Sequence, residues 1–156
     1  MDKSEISWNV ALYEQLERDQ LYDMLAARAA VFVVEQNCPY QDLDGLDRHG
    51  IHVRAVDAGG QVLAYARILG PGRRFEEPSI GRVLTTATGR GRRLGRELMQ
   101  RALAEAERRF PGQAVRISAQ QYLEKFYIQL GFTVVRGPYL EDDIPHLEML
   151  RPADSK

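Results

Sequence analysis

The segment with the clearest chemical meaning runs from Ile80 to Gly95. It begins as an apolar run, Ile80–Thr85, turns at Thr86–Gly89, and continues as RGRRLG at residues 90–95, where a helical pattern opens. The start of a helix presents backbone N–H groups with no partner inside the helix, and the aligned peptide dipoles add about half a positive charge there. Gly91 and Gly95 lack the Cβ atoms that would hold a ligand off the backbone. Arg90, Arg92, Arg93 and Arg96 add charge and directed donors. Together these make an anion site suited to a pyrophosphate. Two familiar phosphate motifs, GxxxxGK[ST] and GxGxxG, are both absent. A merely solvated arginine-rich surface would read the same way, because this chain uses 18 Arg against 3 Lys.

The elements that must position this segment belong to a chain of 156 residues, 44% hydrophobic and 28% charged, with a net charge of −1. That length suits one core, so residues 1–156 are expected to form a single domain. The even charge argues against holding nucleic acid or an anionic membrane by bulk electrostatics, and the apolar content argues against disorder. No apolar run approaches the roughly 20 residues of a membrane span. The opening MDKSEISWNV has no basic stretch followed by an apolar one, so no secretory signal is read. The expectation is a soluble cytoplasmic protein. Cys38 is the only cysteine and has no internal disulfide partner; it reads as a small half-buried residue. The three His and one Cys show no metal-ligand spacing, so no metal is expected. The even total conceals two unlike halves. Residues 1–78 carry 8 basic and 13 acidic side chains, a net −5, whereas residues 79–156 carry 13 and 9, a net +4.

Alternation of Ile6, Trp8 and Val10 predicts a strand. Leu21, Tyr22, Leu25, Ala29, Phe32 and Val33 recur at helical spacing and predict a helix over Asp19–Gln36, with Asp19 as N-cap and Cys38-Pro39 as the stop. Asn37–Gly50 reads as a polar loop with at most one short helical turn. Ile51–Asp57 and Gln61–Leu69 form a hairpin around Ala58-Gly59-Gly60. Pro71–Ser79 is a second loop and Ile80–Thr85 a strand. Arg90–Arg109 is predicted as helix, ended by Pro111-Gly112, and Val115–Ala119 as strand. Tyr122, Leu123, Phe126, Tyr127 and Leu130 define one face of a last helix, with Gly131 at its C-terminus. Phe132–Val135 and His146–Leu150 close the chain as strands. The order β α β β β α β α β β implies a mixed sheet with helices on its faces.

The strand with RGRRLG, followed later by AQQYLEKFYIQLGF and a final hairpin, resembles the GNAT superfamily of acyl-CoA N-acyltransferases. Of that family's [QR]-x-x-G-x-[GA] pattern, Arg90 and Gly95 match the ends and Arg93 replaces the middle glycine. The stretches VFVVEQNCPYQDLDG, AYARIL, IGRV and EDDIPH are similar to its ElaA-like branch, which tolerates a basic residue at that glycine. The VFV…E stretch also resembles the acyl-homoserine-lactone synthases, a more distant group.

The resemblance implies an α/β (α+β) fold, with a mixed, mostly antiparallel sheet of about six or seven strands flanked by helices. It implies acetyl-CoA as co-substrate and transfer of the acetyl group to a primary amine, small molecule or peptide, by direct attack in a ternary complex. A non-catalytic acyl-CoA-binding or sensing module is the alternative, and a homodimer stays open. Val83, Leu84 and Thr85 would meet the pantetheine arm, Gln120 its amide, and the turn from Arg90 through Gly91, Arg92, Arg93, Leu94, Gly95 and Arg96 the pyrophosphate. Tyr127 falls where family members place a tyrosine near the sulfur; a phenol there can protonate the leaving thiolate, or it can simply fill core. Glu35, His52 and His146 are candidates to take the amine proton, a role that water also fills in such enzymes. The acid-rich segments Asp42–Asp47 and Glu141–Asp143 would flank the acceptor side and attract its cation, or are simply a pair of solvated loops.

Overall fold

The computed structural model describes residues 5–153; residues 1–4, at the head of the segment searched for a signal, and 154–156 lie outside the described residues. Seven strands and three helices follow the expected order: β1 (Ile6–Leu12), α1 (Arg18–Arg28), β2 (Ile51–Asp57), β3 (Val62–Leu69), β4 (Ser79–Thr85), α2 (Leu94–Arg109), β5 (Val115–Gln120), α3 (Glu124–Gln129), β6 (Thr133–Glu141) and β7 (Ile144–Arg151). They form one sheet in the order β1-β2-β3-β4-β5-β7-β6. All neighbours are antiparallel except β4 and β5. Every residue of β3 is buried, because each face of the sheet is covered. Leu98, Met99 and Ala102 of α2 pack with Val53, Ala66 and Ile68 in the larger core, and Met24, Val31 and Phe32 pack with Tyr65 and Leu84 in the smaller one.

Five boundaries differ from the sequence reading. The first helix is capped at Glu17, not Asp19: Glu17 N–H donates to Gln20 Oε1 at 2.9 Å. It also ceases to be α-helical after Arg28. Ala29–Glu35 is wound wider, with Gln36 N–H donating to the Val31 carbonyl five residues back, and this turns Phe32 and Gln36 toward the sheet. Helix α2 begins at Leu94, not Arg90, because Arg93 takes a left-handed conformation at φ 57°. Tyr122 stands outside α3 in a 3₁₀ turn and is exposed. The closing hairpin is longer than expected and turns at Asp142 and Asp143, both with positive φ, as a tight two-residue hairpin turn demands.

The predicted face of α1 is also only partly right. Tyr22 and Ala29 are exposed, and the stripe that faces the sheet is Met24, Arg28 and Val31. Arg28 is fully buried. Its Nε donates to Asp42 Oδ2 at 3.0 Å and its Nη1 to Asp47 Oδ1 at 2.6 Å. Arg67 of β3, also buried, donates to Asp44 and Asp47 at 2.8–2.9 Å. Arg82 of β4 reaches Asp42 Oδ1 at 2.8 Å. The polar loop at 37–50 is thus tied to one helix and two strands. Its aspartates are neutralised inside the protein, which corrects the expectation that Asp42–Asp47 attracts an amine.

Arg82 has a second structural role. Its φ of 53° lies in the left-handed region, where β4 fits an extra residue against β3. Beyond this bulge β4 parts from β5, and the two pair only at Ser79 and Arg116. That closed end is clamped by Arg116, which bonds Glu77 at 2.8 Å and Glu148 at 2.6 Å. The wedge opening toward the other end is the feature the site is built on.

Removing one partner of a buried ionic network strands the others. Arg28→Met is therefore expected to cost about 3–5 kcal/mol, read as a lower urea midpoint at neutral pH. An unchanged midpoint would mean the network does not hold the loop. Burial alone would push the Asp44 and Asp47 carboxyls up, but the guanidinium bonds of Arg67 and Arg28 outweigh it and hold both below the ordinary carboxylate range. Their contribution is present above about pH 3.9, the unfolded value, and is lost as the pH falls through the lower native values.

Candidate active site

A cavity of about 480 Å³ fills the wedge between β4 and β5, within the size range of small-molecule sites. Of the residues singled out in the sequence, Val83, Leu84, Thr85, Arg90, Gly95, Gln120, Tyr127 and Glu35 all line it. Gly91, Arg92, Arg93, Leu94 and Arg96 do not line it but belong to the turn and helix start at its rim. Leu94 is a core residue.

The turn is a separate piece of engineering. Thr86 N–H donates to the Leu63 carbonyl at 3.0 Å, and its hydroxyl to the Val62 carbonyl at 2.8 Å, seating the turn on β3. Gly89 sits so close that a Cβ there would stand 2.2 Å from Leu63 O. The amides of Gly89, Arg90 and Arg92 are spent inside the turn, on Thr86 and Gly89 carbonyls. Those of Gly91 and Arg93–Arg96 donate to no acceptor among the described residues. The backbone left free to meet a ligand is thus Gly91 plus the first turn of α2. Arg90 acts through its side chain, which donates to the Thr85 carbonyl at 2.9 Å and pairs with Glu35 across the rim.

Tyr127 is held by the end of its own helix. Phe132 N–H bonds the Tyr127 carbonyl at 3.1 Å and Gly131 N–H the Ile128 carbonyl at 3.0 Å, with Gly131 at φ 98°. This is the paired C-terminal bonding that a left-handed glycine permits, and it brings the two flanking side chains together. The rings of Tyr127 and Phe132 meet edge-on, 5.8 Å apart. Tyr127 is only 5% exposed, and its hydroxyl has no hydrogen-bond partner among the described residues. Burial pushes the phenol up, so it stays protonated.

A second, smaller cavity of about 110 Å³ lies on the other side of Tyr127, which lines both. Gln120, Phe32 and Gln36 are shared as well. Its further walls were not singled out as a set by the sequence: Cys38 and Tyr40 from the loop, Arg82 from β4, Ser118 from β5, Glu141 and Asp142 at the last turn. Only the topology gathers them, although the acid-rich EDD had pointed to this turn.

The three candidate bases separate cleanly. His52 is fully buried between Tyr65 Oη at 2.6 Å and the Asp47 carbonyl at 2.9 Å, with burial lowering its pKa. It is a neutral structural histidine that lines neither cavity. Glu35 is bound to Arg90. His146, opposite Gln120 in the β5–β7 ladder, lines the smaller cavity. Its Nδ1 lies 2.7 Å from the Ile144 carbonyl, which requires a proton on Nδ1, so that in the neutral ring the lone pair is on Nε2. Nε2 is 3.7 Å from Glu141, beyond hydrogen-bond distance. No cluster of potential metal ligands occurs among the described residues.

The chain matches the family described as "Acetyltransferase (GNAT) domain" over residues 9–151. It is 41% identical over 147 residues to protein ElaA of Escherichia coli, covering 94% of this chain and 96% of that protein. The crystal structure of Escherichia coli ElaA superposes with a TM-score of 0.88, covering 94% of this chain and 99% of that one. An acyl-CoA N-acyltransferase from Pseudomonas aeruginosa superposes at 0.89 with 44% identity, over 94% and 99% of the two chains. The acyl-homoserine-lactone synthase LasI shares the fold at a TM-score of 0.74 and 20% identity, covering 97% of this chain and 92% of that one, a likeness of architecture alone.

Because the turn rests directly on β3, Gly89→Ala is expected to destabilise by about 1–3 kcal/mol through overpacking, measured by thermal melting. No loss of stability would mean the turn is not seated there.

Proposed function

The chain belongs to the GNAT acyltransferases, in their ElaA-like branch, and from that premise we propose that it transfers an acetyl group from acetyl-CoA to a primary amine by direct attack in a ternary complex. The observation that carries this reading is Tyr127, whose ring is buried and whose hydroxyl, without a partner among the described residues, stands on the wall that two cavities share. The larger cavity takes the pantetheine arm along Val83, Leu84, Thr85 and Gln120. The free amides of Gly91 and Arg93–Arg96, with the Arg90 guanidinium, take the pyrophosphate. The amine arrives through the smaller cavity.

In the reaction the ammonium gives one proton to Nε2 of His146, directly or through water, and the freed nitrogen attacks the thioester carbon. The C–N bond forms, the carbonyl recloses and the C–S bond breaks. Tyr127 passes its proton to the departing sulfur and is reprotonated by the second proton of the nitrogen. A thiol with a pKa near 8.5 is already a fair leaving group, so general acid catalysis supplies about 10²-fold rather than the whole acceleration. Glu35 holds Arg90 at the rim instead of taking a proton.

Thiol release from acetyl-CoA with a panel of amines tests the reading. Tyr127→Phe is expected to lower kcat by about 10²-fold with little change in KM for acetyl-CoA. Full turnover in this variant would remove Tyr127 from the chemistry. Binding of acetyl-CoA without thiol release for any amine would favour a non-catalytic binding module. A charge-assisted bond to phosphate is worth about 1.5–3 kcal/mol, so Arg90→Ala should weaken acetyl-CoA binding roughly 10- to 100-fold. Glu35→Gln, which frees Arg90, should tighten it; calorimetric titration reads both.

A further inference from the structure

Resting on the amine-transfer reading, we propose that the acceptor is an amine cation bearing no carboxylate, and that Asp142 in the β6–β7 turn selects it. The basis is the charge state of the smaller cavity. Three arginines line it, which at first sight would suit a substrate carboxylate. Each is already bound. Arg67 is held by Asp44 and Asp47, Arg82 by Asp42 and Asp44, and Arg74 by Glu141 at 3.0 Å. The Nε of Arg67 lacks an acceptor, but it is sealed from solvent and out of a substrate's reach. Counting the network behind the wall, Arg28, Arg67, Arg74 and Arg82 balance Asp42, Asp44, Asp47 and Glu141. Asp142 is the surplus: it lines the cavity, and its carboxylate has no partner among the described residues.

Two independent features mark this as a place for a reacting nitrogen. Tyr127 and His146 are 5% and 7% exposed, and the Tyr127 hydroxyl and His146 Nε2 are both left without a hydrogen bond on this cavity's wall. A cationic amine entering there meets one unneutralised negative charge at the turn and a lone pair inside. A carboxylate meets no free cation. If it captured Arg74, it would release Glu141 beside Asp142 and face two carboxylates instead of one.

Matched pairs that differ by a carboxylate test this: putrescine against ornithine, and tyramine against tyrosine, with thiol release as the readout. A carboxylate brought near Asp142 is repelled by a like charge, so kcat/KM is expected to be roughly 10- to 100-fold higher for the amine of each pair. Asp142→Asn should reduce that ratio toward unity while preserving the fold by circular dichroism, since asparagine accepts the positive φ that Asp142 adopts. Equal or better use of the amino acids would overturn the proposal, and an unchanged ratio in Asp142→Asn would overturn the assignment to that residue. Bound acetyl-CoA with no thiol release from any of the four overturns the amine-transfer reading itself, a result distinct from lost selectivity.

Discussion

The wall of the site depends on three arginines and three aspartates sharing their charges out of water. Arg28, Arg67 and Arg82 come from a helix and two strands, and Asp42, Asp44 and Asp47 from a loop with little apolar content. Burying any one of these ions alone would be costly, but together they satisfy most of one another's donors and acceptors. The loop can therefore pack mainly through its charges, with Tyr40 as its contact to the smaller core. Tyr40 joins by donating its hydroxyl to Asp42 at 2.8 Å, and the Arg82 guanidinium lies over its ring. Because Arg82 is also the left-handed residue of the β4 bulge, the same network that fixes the loop anchors the strand where it leaves its neighbour.

That departure produces the site. A sheet whose strands stayed paired would offer only side chains, whereas the wedge beyond Ser79 and Arg116 exposes the edges of β4 and β5 to a ligand. Three local devices then aim chemistry into it. The widened helical turn at Ala29–Glu35 carries Phe32 and Gln36 to the walls. The turn at Thr86–Arg93 places unspent amides at the rim. The left-handed Gly131 closes α3 so that Tyr127 packs on Phe132 while its hydroxyl stays unbonded.

Charge follows the same logic. The surplus of acid in the first half of the chain does not face a substrate, because its loop aspartates are consumed by arginines, one of them from the second half. The carboxylate left over belongs to the second half, at Asp142. Sequence halves are therefore a poor guide to which charges a ligand meets; pairing across the sheet decides that.

By itself the sequence determined what local physics controls. Periods of two and near four located the strands and helices, and glycines and arginines after Thr85 marked a turn whose amides the structure leaves partly unspent. Through its resemblance to the GNAT family it also assigned Tyr127, Gln120 and Arg90 to one ligand, and all three line one cavity. It misjudged the face of α1, because a buried arginine reads as polar and breaks the apolar stripe that signals an inward face. It could not separate Glu35, His52 and His146, since a side chain's role depends on partners far away in the chain: Arg90 for the first, Tyr65 for the second, and for the third a nearby carbonyl in a cavity built by other strands. Only the tertiary structure decides those partners, because burial and pairing are set by which distant segments meet, and periodicity carries no information about that.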